Sequence, residues 1–197
     1  MAQATSSVQT RERILTAANE LFRRQGFHGT SLSQIVKASA STTGSVYHFF
    51  PGGKDELTAE VLQTSGQAYG DLVEAIIRAA PDPATGMLDA FEGAAQMMAG
   101  TDFIDPCPIG TIAREVASTH EPLREVASKV MADWVETLVT IFTEAGIEES
   151  LALPLATMSI ATIEGGFIMA RTRRDTEPWL AIGETLAATI RRELPAT

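Results

Sequence analysis

The sequence predicts an all-α chain of nine helices, three short ones in an N-terminal head and six in a body. Three observations carry this. Apolar residues recur at spacings of three and four along nearly every long segment. No run alternates apolar and polar residues as a half-buried strand would. Capping residues, prolines and glycines stand where such helices should start and stop. At 197 residues the chain is long enough for one or two compact domains.

The first helix is expected from about Gln9 to Gln25, with Ile14, Ala18, Leu21 and Phe22 on one face and Gly26 as its stop. The second begins at Ser31, where Ser31 and Gln34 have capping-box spacing. It carries Leu32, Ile35 and Val36 and ends near Ala38. A connection of four residues, Ser39 to Thr42, leads to a third helix that Thr42 caps. That helix holds Val46, Tyr47 and Phe50 and stops before Pro51. A long fourth helix from Lys54 to about Ala80 points Leu57, Val61, Leu62, Tyr69, Leu72 and Ile76 inward until Pro81 and Pro83 break it. Five more follow at roughly 84–99, 108–118, 121–145, 150–173 and 177–194. Gly146 ends one, and Pro108, Pro122 and Pro178 stand near helix starts.

Composition narrows the function. The net charge of −10 is uneven: over residues 1–54, Arg11, Arg13, Arg23, Arg24, Lys37 and Lys54 face only Glu12 and Glu20, leaving +4 against −14 in the rest. A basic segment on an acidic body fits a nucleic-acid reader joined to something else. One cysteine, Cys107, builds no disulfide framework, and the N-terminus lacks the pattern of a secretory signal. No window of about 18 residues reads as a membrane span. The expected location is the cytoplasm, with no membrane partner. Enzyme readings find no support. His28, His48 and His120 lack zinc spacing, E-x-x-H and G-x-S-x-G are absent, and Cys107 has no evident histidine partner. Gly52-Gly53-Lys54 lacks the rest of a phosphate-binding loop. No metal and no cofactor is expected.

Two short helices joined by a tight turn, the second opening on small polar residues, read as a helix-turn-helix. The stretch Thr30-Ser31-Leu32-Ser33-Gln34-Ile35, then Gly44-Ser45-Val46-Tyr47-His48-Phe49-Phe50 and Lys54-Asp55-Glu56-Leu57, resembles the signature of the TetR family of transcriptional regulators. Ile14-Leu15, Ala17-Ala18, Leu21-Phe22 and Gly26-Phe27 match as well. Ala40 and Ser41 depart from the glycine and valine common in the family's turn. Thr42, Thr43, Gly44 and Ser45 are short enough for the helix end to enter a major groove, where threonine can meet base edges or a thymine methyl. The resemblance implies phosphate and base contacts for Tyr47 and His48. The alternatives are a core position for Tyr47 and a plain surface position for His48. Lys54 at a helix start, with Ser31 and Arg11, are further phosphate candidates.

The expected division is 8–68 for the DNA-binding domain and 69–197 for ligand binding and dimerisation. Cys107-Pro108-Ile109-Gly110 and the later body resemble, more loosely, a subgroup of multidrug-responsive repressors. The family resemblance implies a repressor acting as a homodimer on a palindromic duplex, released by a small, largely apolar effector. It implies an interface from the last two helices, through Leu155, Ile163, Gly166, Ala170, Trp179, Ile182, Leu186 and Ile190, although a role in the monomer core fits those residues too. It also implies a pocket. The candidates are Tyr69, Phe91, Met98, Phe103, Cys107, Met131, Trp134, Phe142, Met158 and Phe167, with Glu164 to orient the ligand; filling the core is the alternative for each. A helical adaptor that binds protein and no DNA stays open on composition alone; salt-dependent retention on duplex DNA separates the two.

Overall fold

The computed structural model describes residues 2–104 and 107–195. Among them are nine helices and no strand: α1 (Ala2–Gly29), α2 (Leu32–Ala38), α3 (Thr43–Phe49), α4 (Gly53–Ala79), α5 (Pro83–Gly100), α6 (Pro108–Val116), α7 (Glu121–Glu144), α8 (Glu149–Arg173) and α9 (Glu177–Glu193). The one large boundary error is at the start of α1. The helix begins at Ala2 instead of Gln9, because Ala2–Val8 holds neither glycine nor proline to stop it. Its other end is as expected: Gly26, at φ 75° and ψ −178°, breaks the helical path before Phe27.

The chain forms two units, each drawn from separate stretches: residues 1–66 with 108–130, and 67–107 with 131–197. The first unit therefore takes in α6 and the first part of α7 besides the expected head. The reason is visible in its core. Ile14, Phe22, Ile35, Val46, Phe50, Leu57 and Leu62 are fully buried, as are Ile109, Ile112 and Val116 of α6, which packs along α1. Glu115 of α6 lies directly against Gly26 and accepts from the His28 backbone N–H at 2.8 Å. Any side chain at position 26 would displace that carboxylate.

Within the head, the capping box holds as read: Ser31 Oγ accepts from Gln34 N at 3.3 Å, and Gln34 Oε1 accepts from Ser31 N at 2.7 Å. The turn to α3 sets Ala40 at φ 47°, a left-handed conformation that costs an alanine about 1 kcal/mol. This gives the family's glycine here a physical reason. Ala40→Gly is expected to raise unfolding stability by about 0.5 kcal/mol, after the entropy of glycine in the unfolded chain is subtracted. Ala40→Val should lower it by about 1 kcal/mol or more. Urea melts of the two variants give the sign of each.

The second unit holds the rest of α4 and α7 with α5, α8 and α9. Asp82 caps α5 by accepting from Thr85 N at 2.9 Å. Glycines set the helix spacings: Gly183 of α9 lies on Phe91 of α5, and Gly166 of α8 lies on the Trp179 indole of α9. Phe167 and Phe91 complete an aromatic cluster, with ring centres 4.7 and 6.1 Å from Trp179. Leu72 was expected inward with Tyr69 and Ile76, but it is 57% exposed, while Ile77 is buried. On this part of α4 the packed line runs through Gly70, against Trp134, and Ile77, against Gly86. Leu72 lies with Tyr69 and Ile76 at the wall of the apolar cavity described below, and is exposed there because no neighbouring helix closes over it.

A second expectation also fails. By length and composition α8 could cross a membrane, with a window of mean hydropathy 1.5 that is only one-third buried. Its apolar residues occupy two faces: Leu155, Phe167 and Ala170 point into the unit, while Leu151, Leu153, Met158, Ile168 and Met169 are exposed.

Candidate DNA-reading face and the cavity of the body

The reading face is built on the start of α3. Thr42 Oγ1 accepts from Ser45 N at 3.0 Å and lies 2.9 Å from Ser45 Oγ, fixing where the helix begins. Thr43 and Gly44 follow, both exposed, with Ser45 half-buried. Tyr47 is outside the core, 49% exposed, with its ring over Gly53 at the entry to α4. His48 is exposed and edge-on to Phe49 at 4.9 Å. Six residues named from sequence are thus gathered on one short helix and its cap.

The phosphate candidates elsewhere have partners within the chain. Ser31 is exposed, but its hydroxyl serves the capping box. The Arg11 guanidinium pairs with both oxygens of Glu60 on α4 and stands 5.3 Å from the Phe50 ring. Lys54 Nζ sits 4.0 Å over the Phe27 ring. Burial pulls its pKa below the ordinary lysine value, and the carboxylates of Asp55 and Glu115 work against that shift. Lys54 is therefore turned onto the first unit's own aromatic surface. The first turn of α4 also carries Asp55 and Glu56, and Glu56 accepts from Gly52 N at 2.6 Å.

The second unit encloses an apolar cavity of about 280 Å³. Of the pocket candidates, Tyr69, Cys107, Trp134, Glu164 and Phe167 line it. Phe91, Met98 and Phe142 do not; they are fully buried core, drawn in by close packing around α5, α7 and α9. Met158 is 38% exposed on the outer side of α8, and Phe103 and Met131 are half-buried away from the cavity. The sequence reading missed Gly70, Met87, Met97 and Ile160 in the wall. The signal available was Gly70, whose missing side chain lets the Trp134 ring approach to 3.0 Å of where a Cβ would stand. Two carboxylates line the cavity, Glu74 and Glu164, and no lysine, arginine or histidine does. Glu74 accepts from Arg78 Nε at 2.7 Å.

The dimer candidates are displaced inward. Leu155, Gly166, Ala170, Trp179, Leu186 and Ile190 are buried in the chain's own core, Ile163 lines the cavity, and Ile182 is half-buried. The apolar surface that α8 leaves outward is the other face, through Met158, Ile168 and their neighbours. Among the described residues no group of three or more His, Cys, Asp or Glu is placed to hold a metal ion.

Residues 14–61 match the family described as bacterial regulatory proteins, tetR family, and residues 83–185 match the C-terminal domain of LmrA/YxaF-like transcriptional regulators. The chain is 36% identical over 189 residues to the uncharacterized HTH-type transcriptional regulator YxaF of Bacillus subtilis, covering 96% of this chain and 99% of that one. Among solved structures it is similar to a TetR-family regulator from Cytophaga hutchinsonii, with a TM-score of 0.83 at 22% identity over 98% of each chain. It is also similar to CifR, a TetR-family regulator solved with a 26bp double-strand operator DNA, with a TM-score of 0.77 at 21% identity over 90% of this chain and 95% of that one. This chain belongs to the TetR family of helix-turn-helix transcriptional regulators, in its LmrA/YxaF-like branch, and works by binding DNA and not by catalysis.

Proposed function

We propose that the chain is a cytoplasmic repressor, a homodimer on a palindromic operator, released when a small, largely apolar molecule enters the cavity of the second unit. The cavity carries this reading: it is apolar, walled by Tyr69, Trp134 and Phe167, and offers only a few polar groups to orient a ligand. The homodimer reading is supported by the exposed apolar side of α8, and a single recognition helix of seven residues needs a second copy roughly 34–36 Å away to read enough bases. Thr43 and Gly44 at the helix start are the base readers, with Thr42, Ser45, Tyr47 and His48 around them. Lys54 and Arg11 reach phosphate only by leaving Phe27 and Glu60.

Two helices, α4 and α7, contribute residues to both units, and they are the route by which a ligand changes DNA affinity. A ligand that favours the released state 100-fold supplies about 2.7 kcal/mol, enough for decisive release, and operator DNA must weaken the ligand by the same factor. The test uses Trp179→Phe, which leaves Trp134 as the sole tryptophan. Compounds that quench Trp134 emission should weaken operator binding in proportion to occupancy. A compound that saturates the cavity and leaves operator affinity intact would reject the coupling, while failure of all apolar compounds to quench would reject the effector reading.

A further inference from the structure

The first turns of α1 lie outside the stretch that matches the family, which begins at residue 14. They continue the helix back to Ala2 and border the reading helix. Between them and α3 is an open groove of about 460 Å³, lined by Ser7 and Thr10 of α1 and by Thr42, Gly44, Ser45 and His48. We propose that this groove seats a phosphodiester of the DNA strand beside the recognition helix, with Ser7 and Thr10 as its outer wall.

Three observations support that occupant. The groove is continuous with the reading face, since Thr42, Gly44, Ser45 and His48 belong to both. Its wall carries hydroxyls from both helices and no carboxylate, and hydroxyls are regular donors to phosphate oxygens. Ser7 and Thr10, three residues apart, share one side of α1. One turn further on, Arg13 donates through Nη2 to Thr10 Oγ1 at 3.3 Å and through Nε to the Ser39 carbonyl at 3.3 Å, so its guanidinium lies between this groove and the neighbouring one. The other flank of α1 makes the contrast. There a second groove, running to Ser39 and Ala40, is lined by Glu12 and Glu20 together with Arg13, two carboxylates against one guanidinium. The two flanks of α1 therefore differ: hydroxyls with no carboxylate on one, an excess of one carboxylate on the other.

The test is charge and hydroxyl substitution in the full chain, read on operator and on random duplex across a salt series. Ser7→Lys should tighten both DNAs and steepen the slope of log K against log salt by about 0.9, the signature of one added phosphate contact. Ser7→Glu should weaken both. Ser7→Ala with Thr10→Ala should cost about tenfold on both at an unchanged slope, because neutral donors release no counterions. A gain from Ser7→Lys has no origin in misfolding, and thermal melts check the losses. Equal affinities for Ser7→Lys and Ser7→Glu would overturn the proposal. So would a double-alanine loss confined to the operator, because the groove would then read bases.

Discussion

Glutamate in place of Ile168 is expected to give a folded monomer that no longer holds a full operator. Ile168 is 45% exposed on α8, on the same side as Met158 and Gly165, and nothing stands within 4 Å of where a Gly165 side chain would begin. In a two-fold interface each residue occurs twice, so one substitution buries two carboxylates. An unpaired buried charge costs several kcal/mol, against which a dimer has little reserve. Sedimentation at micromolar concentration should show the dimer lost, and operator affinity should fall to that of single half-sites. A variant that stays dimeric with undiminished affinity would place the interface elsewhere. Leu186→Glu is not an equivalent probe. Leu186 is 3% exposed within the chain's own core, so that change should unfold the body before it separates subunits.

The second large effect is on stability. A Cβ added at Gly86 would stand 2.5 Å from the Ile77 Cα and 2.8 Å from its carbonyl oxygen, and backbone atoms have no rotamer to yield. Gly86→Ala is expected to lower unfolding stability by about 3 kcal/mol, the upper part of the range for overpacking. For a chain of this length that is a fall in melting temperature of roughly 6–12 °C. Gly93→Ala is the control, since nothing stands within 4 Å of its Cβ position. It should gain up to ~1 kcal/mol of helix propensity. Equal melting temperatures for the two variants would show that α5 shifts off α4 without cost.

What the sequence showed, it showed through local chemistry. Ser31 with Gln34, Thr42, Gly26 and Gly146 each act on backbone groups within a few residues, so their positions mark helix ends directly. The start of α1 carries a misleading mark: Ser6 and Gln9 have the same capping-box spacing as Ser31 and Gln34, while nothing in Ala2–Val8 stops a helix from running back past them. Choosing faces was harder. α8 is apolar on both sides, so periodicity offers no preference, and of the four α8 residues taken for its interface Leu155, Gly166 and Ala170 are buried within the chain while Ile163 lines the cavity. That same two-sided apolarity makes α8 long and greasy enough to pass for a membrane span. The cavity was half legible. Trp134 and Phe167 could be picked as large and polarizable, but Phe91 and Phe142 look identical in sequence and differ only in what packs around them. The pairings of Lys54 with Phe27 and Arg11 with Glu60 join positions 27 and 49 residues apart, beyond any local signal.

The core beneath the reading helix has a bearing on the order in which it can be completed as the chain is made. Ile109, Ile112, Val116 and Leu123 are buried in the same unit as Ile14, Phe22 and Phe50, yet a ribosome reaches them only after more than half the polypeptide has emerged. Until then α1 has its partners in α2 and α3 but lacks α6 along the side that packs on it. A nascent or prematurely terminated chain that ends before α6 thus presents a head whose core is incomplete.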